Sequence, residues 1–122
     1  MAFDYEIYEQ KCKKIKDKNH IHLDNFKKLL QNQGLTKKTI DNHIFNVDFY
    51  INEFLCAYDA QDVTQGCYKI SRFLGDWFIK KAMWSSCSNI KSNSTSIKKF
   101  YAFLLEGGVV TQEDYDMLCE TI

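Results

Sequence analysis

The chain has 122 residues, enough for one domain and too few for two of ordinary size. A composition of 45% apolar, 15% aromatic and 26% charged residues excludes a disordered chain. At this length folding removes roughly 65% of the unfolded surface from water, so a core forms without staples. Lys+Arg and Asp+Glu both number 16, so the net charge is zero and a bulk-basic, histone-like protein is excluded. The basic set is all lysine except Arg72, which rules out chemistry that needs two arginines to clamp a phosphate.

No proline and only five glycines interrupt the sequence, a pattern that favours long helices. The expectation is an all-α protein of five or six helices. The first helix runs from about Phe3 to Lys18, with Tyr5, Tyr8, Cys12 and Ile15 as its apolar stripe. Lys11, Lys13, Lys14, Lys16 and Lys18 cover the rest, so residues 1–20 read as a basic helix or arm and 21–122 as the helical domain. A second segment, about Ile21 to Gln31, presents Leu23, Phe26, Leu29 and Leu30 and stops at Gly34. Asn19 and His20 either break it from the first helix or lie within one continuous helix. The third and longest segment spans about Lys37 to Tyr58, capped by Thr36. It has two apolar stripes: Ile40, Ile44, Val47, Ile51, Phe54 and Leu55 on one, Phe45, Phe49 and Cys56 on the other. A helix apolar on two sides is central to its bundle.

Asp59 to Gly66 reads as a polar turn. The fourth segment, about Cys67 to Trp84, carries Ile70, Phe73, Leu74, Trp77 and Phe78 at helical spacing. Ser85 to Asn93 reads as a loop of small polar residues. The fifth helix, about Ser94 to Glu106, buries Ile97, Phe100, Tyr101, Phe103 and Leu104 and ends at Gly107-Gly108. Thr111 with Asp114 three residues on forms a variant capping box for a last helix docked through Tyr115, Leu118 and Ile122.

Three stretches, in this order, resemble a known family. Leu35-Thr36-Lys37-Lys38-Thr39-Ile40 followed by an aromatic helix ending Phe54-Leu55 is the first. Val63-Thr64 leading to Ile70 and Phe73-Leu74 is the second. Thr95-Ser96-Ile97-Lys98-Lys99-Phe100-Tyr101, then Phe103-Leu104 and Gly107, is the third. Together they resemble the core-binding domain of tyrosine recombinases, or phage integrases, with lysines where that family often has arginine. The resemblance covers about Leu23 to Ile122. It implies a SAM-like orthogonal helical bundle that lies over duplex DNA. The family's catalytic Arg…His-x-x-Arg…Tyr set has no counterpart here, so the resemblance implies a DNA-binding module that is not an enzyme and needs no cofactor. It also implies an accessory or regulatory part in DNA recombination or integration. The alternative is an interaction module that binds itself or a full-length recombinase.

The charge distribution fits a polar molecule despite its zero sum. Seven lysines between Lys11 and Lys28 face only Asp17 and Asp24, and six lysines with Arg72 between Cys67 and Leu105 face only Asp76. From Glu106 onward there are five acids and no base. A neutral protein can thus carry a positive face that attracts duplex DNA. The candidate phosphate contacts are Lys37, Lys38, Lys80, Lys81, Lys91, Lys98 and Lys99, with Ser94 and Thr95 beside them at a helix start, where amides and hydroxyls serve as phosphate donors. Lysine is a poor bidentate reader of bases, so backbone positioning is expected over sequence readout. The competing reading of every lysine pair is a solvated helix face.

Other constellations are weaker. Five cysteines, an odd number with no C-x-x-C pair, read as free and mostly buried thiols in a reducing cytoplasm. Neither a signal peptide nor a membrane-length apolar run is legible, so no membrane partner is expected. His20 and His22 do not share a helix face and signal no third ligand, so they are read as surface residues and no metal is expected. Cys87 in its serine-rich surroundings lacks a nearby base. Asp59, Asp62 and Asp76 match turn and helix-start positions better than a catalytic pair. Tyr101 reads as a packing residue. Trp84 either covers the core or sits at an interface.

Overall fold

The computed structural model describes residues 5–56, 60–73 and 87–121. Every regular element among them is helical. Leu74, Trp77, Phe78, Trp84, Ile122 and the carboxylates Asp59 and Asp76 lie outside the described residues.

Helix α1, Tyr5–Asn32, is one uninterrupted rod of 28 residues. Of the two readings open at Asn19 and His20, the continuous helix is the one that forms. The reason is Asn19 itself. It sits in the buried stripe Cys12, Asn19, Leu23, Phe26 and Leu30, and its amide is used in the tertiary structure. Asn19 Nδ2 donates to the Ile51 carbonyl at 3.3 Å and to Asn52 Oδ1 at 2.8 Å. Asn52 Nδ2 in turn donates to Asp48 Oδ1 at 2.5 Å. A polar residue inside an apolar stripe is stable when its groups are bonded in this way.

Gly34 ends α1 with φ +78°. Its N–H donates to Gln31 O at 3.0 Å, and the Leu35 N–H donates to Leu30 O at 3.4 Å. This pair is a Schellman motif, with Leu35 folding back on the core. Thr36 then caps α2, Lys37–Asp48, its hydroxyl accepting from the Thr39 N–H at 3.3 Å. The helix runs on without a break into π-helical turns, Phe49–Phe54, where Leu55 N–H reaches Tyr50 O at 3.1 Å. The widened turn swings Tyr50, Ile51, Phe54, Leu55 and Cys56 into the core together. The first apolar stripe is therefore inside except for the half-buried Ile44, and the second is not intact: Phe45 is 66% exposed.

A capping box at Asp62 (its side chain accepts from Thr64 N–H at 3.0 Å, while Gln65 Oε1 accepts from Asp62 N–H at 3.2 Å) starts a 3₁₀ turn, Val63–Gln65. That turn leads into α3, Gly66–Arg72. Helix α4 is Cys87–Glu106 and α5 is Gln112–Thr121. The stretch 85–93 is thus not a loop throughout: from Cys87 it is the first part of α4, seven residues before the expected start. Helix α4 ends as α1 does, with Gly108 at φ +75°, its N–H on Leu105 O at 3.1 Å and Val109 N–H on Leu104 O at 2.9 Å. The Thr111–Asp114 box forms in both directions, at 3.1 and 3.2 Å, and starts α5.

The core is largely aromatic at its centre. Tyr50 stacks on Phe54 with centroids 5.6 Å apart, and Phe73 meets Tyr50 edge-on at 4.8 Å. Phe26 of α1 meets Phe100 of α4 edge-on at 5.2 Å. Tyr101, fully buried, donates to the Val63 carbonyl at 2.6 Å, and Tyr50 donates to the Gly66 carbonyl at 2.5 Å. These two phenols fix the start of α3 against α2 and α4. Leu118 of α5 is fully buried within its own chain, and Tyr68 of α3 donates to Asp114 of α5. Among the described residues no helix is long and apolar enough to cross a membrane.

Candidate nucleic-acid interface

Helices α2 and α4 run antiparallel, because His43 meets Ser96 while Asn46 meets Ser92 and Ser96. Their seam is polar on its outer edge. His43 Nδ1 and Ser96 Oγ are 2.7 Å apart, and Asn46 Nδ2 donates to Ser96 Oγ at 3.0 Å and to Ser92 Oγ at 3.2 Å. Burial, and then the positive charge of Lys99, hold the His43 imidazole below its ordinary value of 6.5. The ring is therefore neutral at pH 7 and joins the seam by hydrogen bonding. A shallow groove of about 340 Å³ lies over it, lined by His43, Lys91, Ser92 and Thr95.

Helical rotation of about 100° per residue sorts the expected contacts. Lys91, Thr95, Lys98 and Lys99 fall on the outward face of α4, within about two and a half turns. Lys91, Thr95 and Lys98 are exposed and Lys99 is half-buried. Among the described residues none of these lysines forms an ion pair, since the pair found is His20–Asp24 at 4.0 Å. The α4 face is thus a positive surface with uncompensated charge.

Ser94 and Thr95 correct the expectation of a helix start. Both lie in the interior of α4, where backbone amides are used within the helix and cannot receive phosphate. The Thr95 hydroxyl also donates back to Lys91 O at 3.0 Å. Small polar residues misled because serine and asparagine favour loops in isolation. Here Asn93 and Ser96 are buried. The missed partners were legible in part: a His-x-x-Asn at 43 and 46 and a Ser-x-x-x-Ser at 92 and 96 are spaced to meet across two antiparallel helices.

Lys37 and Lys38 are both exposed on the first turn of α2, but they diverge. Lys38 falls on the outward stripe two turns before Phe45, away from the seam with α4. Lys37 is turned to the flank opposite the α4 seam, one turn before Asp41 and two before Ile44. Lys80 and Lys81 lie outside the described residues. The positive residues on α1, from Lys11 to Lys28, are exposed along a rod about 42 Å long and converge on no single point.

The thiols of Cys12, Cys56 and Cys67 are free and buried, and that of Cys119 is free and half-buried. Burial pushes Cys56 and Cys67 up to about 12, which makes both inert as nucleophiles at neutral pH. The Cys87 side chain lies outside the described residues. His22 is held below 6.5 by burial and by Lys18. Among the described residues no three His, Cys, Asp or Glu side chains come together as a metal site. Comparisons of the chain with models of protein families, with curated proteins and with solved structures give no match.

Proposed function

We propose that this chain is a non-catalytic module that grips the phosphate backbone of duplex DNA, built as a SAM-like orthogonal bundle of the tyrosine-recombinase core-binding type. Its role is accessory or regulatory in DNA recombination or integration. The observation that carries the reading is the outward face of α4, where Lys91, Lys98 and Lys99 present three positive charges unpaired by any described acid beside the groove over His43. Lys98 and Lys99 also belong to the stretch that resembles the recombinase family, Thr95 to Leu104. The contacts are to phosphate, because lysine ammonium groups act as point charges and do not read base edges in a bidentate way.

The test is fluorescence anisotropy of a labelled duplex of about three helical turns, titrated at several salt concentrations. Each phosphate neutralised contributes about −0.9 to the slope of log K against log salt. Replacing Lys98 and Lys99 with alanine lowers the magnitude of that slope by about 2 and weakens binding to every duplex sequence alike. Absence of binding at low salt, or a double variant that binds as tightly as the parent, overturns the proposal.

A further inference from the structure

The flank of α2 opposite the lysine face carries a second surface of reversed charge. A groove of about 380 Å³ lies between α1 and α2. Its apolar floor is Leu23, Ile44 and Phe45, and its rim carries Asp24, Asp41 and Asp48. Phe45 is 66% exposed, whereas Phe26, Phe54, Phe73 and Phe100 are all buried. The one lysine of the rim, Lys27, sits on α1, as does His20, whose Nε2 lies 4.0 Å from Asp24 Oδ2. Asp41 and Asp48 have no ion pair among the described residues. The rim is therefore net negative around an accessible aromatic ring.

We infer that this groove docks a short basic segment of a partner protein, one large apolar side chain lying on Phe45 and Ile44 with lysines or arginines on either side paired to Asp41 and Asp48. The volume, at the lower end of ligand pockets, suits one anchor side chain with its neighbours. Charge complementarity selects the occupant: an acidic segment meets three carboxylates, and an uncharged one leaves Asp41 and Asp48 without a charge partner. An aromatic anchor in a pocket ringed by charge is the usual form of a binding hot spot. Because α2 separates this groove from the lysines of α4, docking here leaves the proposed DNA face open. The inference stands independently of DNA binding.

The experiment uses fluorescein-labelled, amidated peptides with one tryptophan flanked on each side by two lysines, and a matched peptide flanked by glutamates. The lysine-flanked peptide binds at least about tenfold more tightly than the glutamate-flanked one. Phe45→Ala weakens it about tenfold, as does Asp41→Asn combined with Asp48→Asn. Phe45 is on the surface, so Phe45→Ala folds as the parent does, and the thermal melt of each variant verifies this. Lys98→Ala with Lys99→Ala leaves peptide binding unchanged. Equal affinity for the two peptides, binding insensitive to Phe45→Ala, or no binding up to about millimolar peptide overturns the inference. Self-association that Phe45→Ala abolishes also overturns it, since the occupant is then a second copy of this chain.

Discussion

Gly66→Ala sets two well-defined effects against each other. Gly66 has φ −61° and ψ −23°, ordinary helical values. On backbone grounds alone, alanine there stabilises the protein by about 0.4–1 kcal/mol, through the unfolded chain. Packing says the opposite. A Cβ on Gly66 lies 2.0 Å from Tyr101 Oη, 3.0 Å from Tyr101 Cζ and 3.1 Å from Tyr50 Cε2. Tyr101 cannot step aside cheaply, because it is fully buried and its hydroxyl holds the Val63 carbonyl at 2.6 Å. Overpacking costs about 1–3 kcal/mol, and loss of the phenol's bond in a buried site costs about 1–3 more. The net expectation is a loss of about 3 kcal/mol, a fall in Tm of roughly 12 °C for a domain of this size. Urea and thermal unfolding measure it. Tyr101→Phe removes the clashing oxygen, so the Gly66→Ala penalty shrinks in that background, with a coupling of at least about 1 kcal/mol in a double-mutant cycle. A Gly66→Ala protein as stable as the parent, or more stable, refutes the packing described at the start of α3.

Asn19→Ala leaves the Ile51 carbonyl without its side-chain donor and opens a gap in α1, at a cost of about 1–3 kcal/mol in urea unfolding. Thr36→Ala removes the N-cap of α2 and costs about 1 kcal/mol in the same assay. Because His43 is held below 6.5 in the folded protein, the unfolded chain binds the proton more readily. Its contribution is complete above its unfolded value and is lost as pH falls through about 6.5 toward the folded value. His22 acts in the same direction, so His43→Gln removes part of the fall in Tm between about pH 7.5 and about pH 5.5, not all of it. Lys99→Ala raises the His43 pKa, which an NMR titration of the ring protons reads directly.

The helices were legible wherever apolar spacing and turn chemistry agreed. Thr36, Gly34, Gly107-Gly108 and the Thr111–Asp114 box mark the observed ends, and the stripes through Leu30, Val47, Ile97 and Leu104 are the core. Failures fall where a polar residue is satisfied by tertiary bonds that no local pattern announces. At Asn19 the local pattern leaves a break and a continuous helix both open, and its bonds to Ile51 and Asn52 in the π-helical turns after α2 decide for the continuous one. The polar run before Ser94 resembles a loop and is the first part of α4, because Ser92 and Ser96 bond to Asn46 and His43. Phe45 failed in the other direction: the apolar pattern predicts burial, and among the described residues no neighbouring element covers it. For the candidate interface, residue type and order pointed to Lys91, Lys98 and Lys99. Helical phase, which becomes usable only once the true start of α4 is known, groups them with Thr95 and separates Lys37 from Lys38.

The most direct test of the DNA face is a two-dimensional amide NMR spectrum of the labelled protein with and without an unlabelled duplex at low salt. The account predicts shifts concentrated at His43, Lys91, Thr95, Lys98 and Lys99, with Phe45 and Asp48 undisturbed. Shifts centred on Phe45 and the α1–α2 groove, or a spectrum unchanged by DNA, would contradict it.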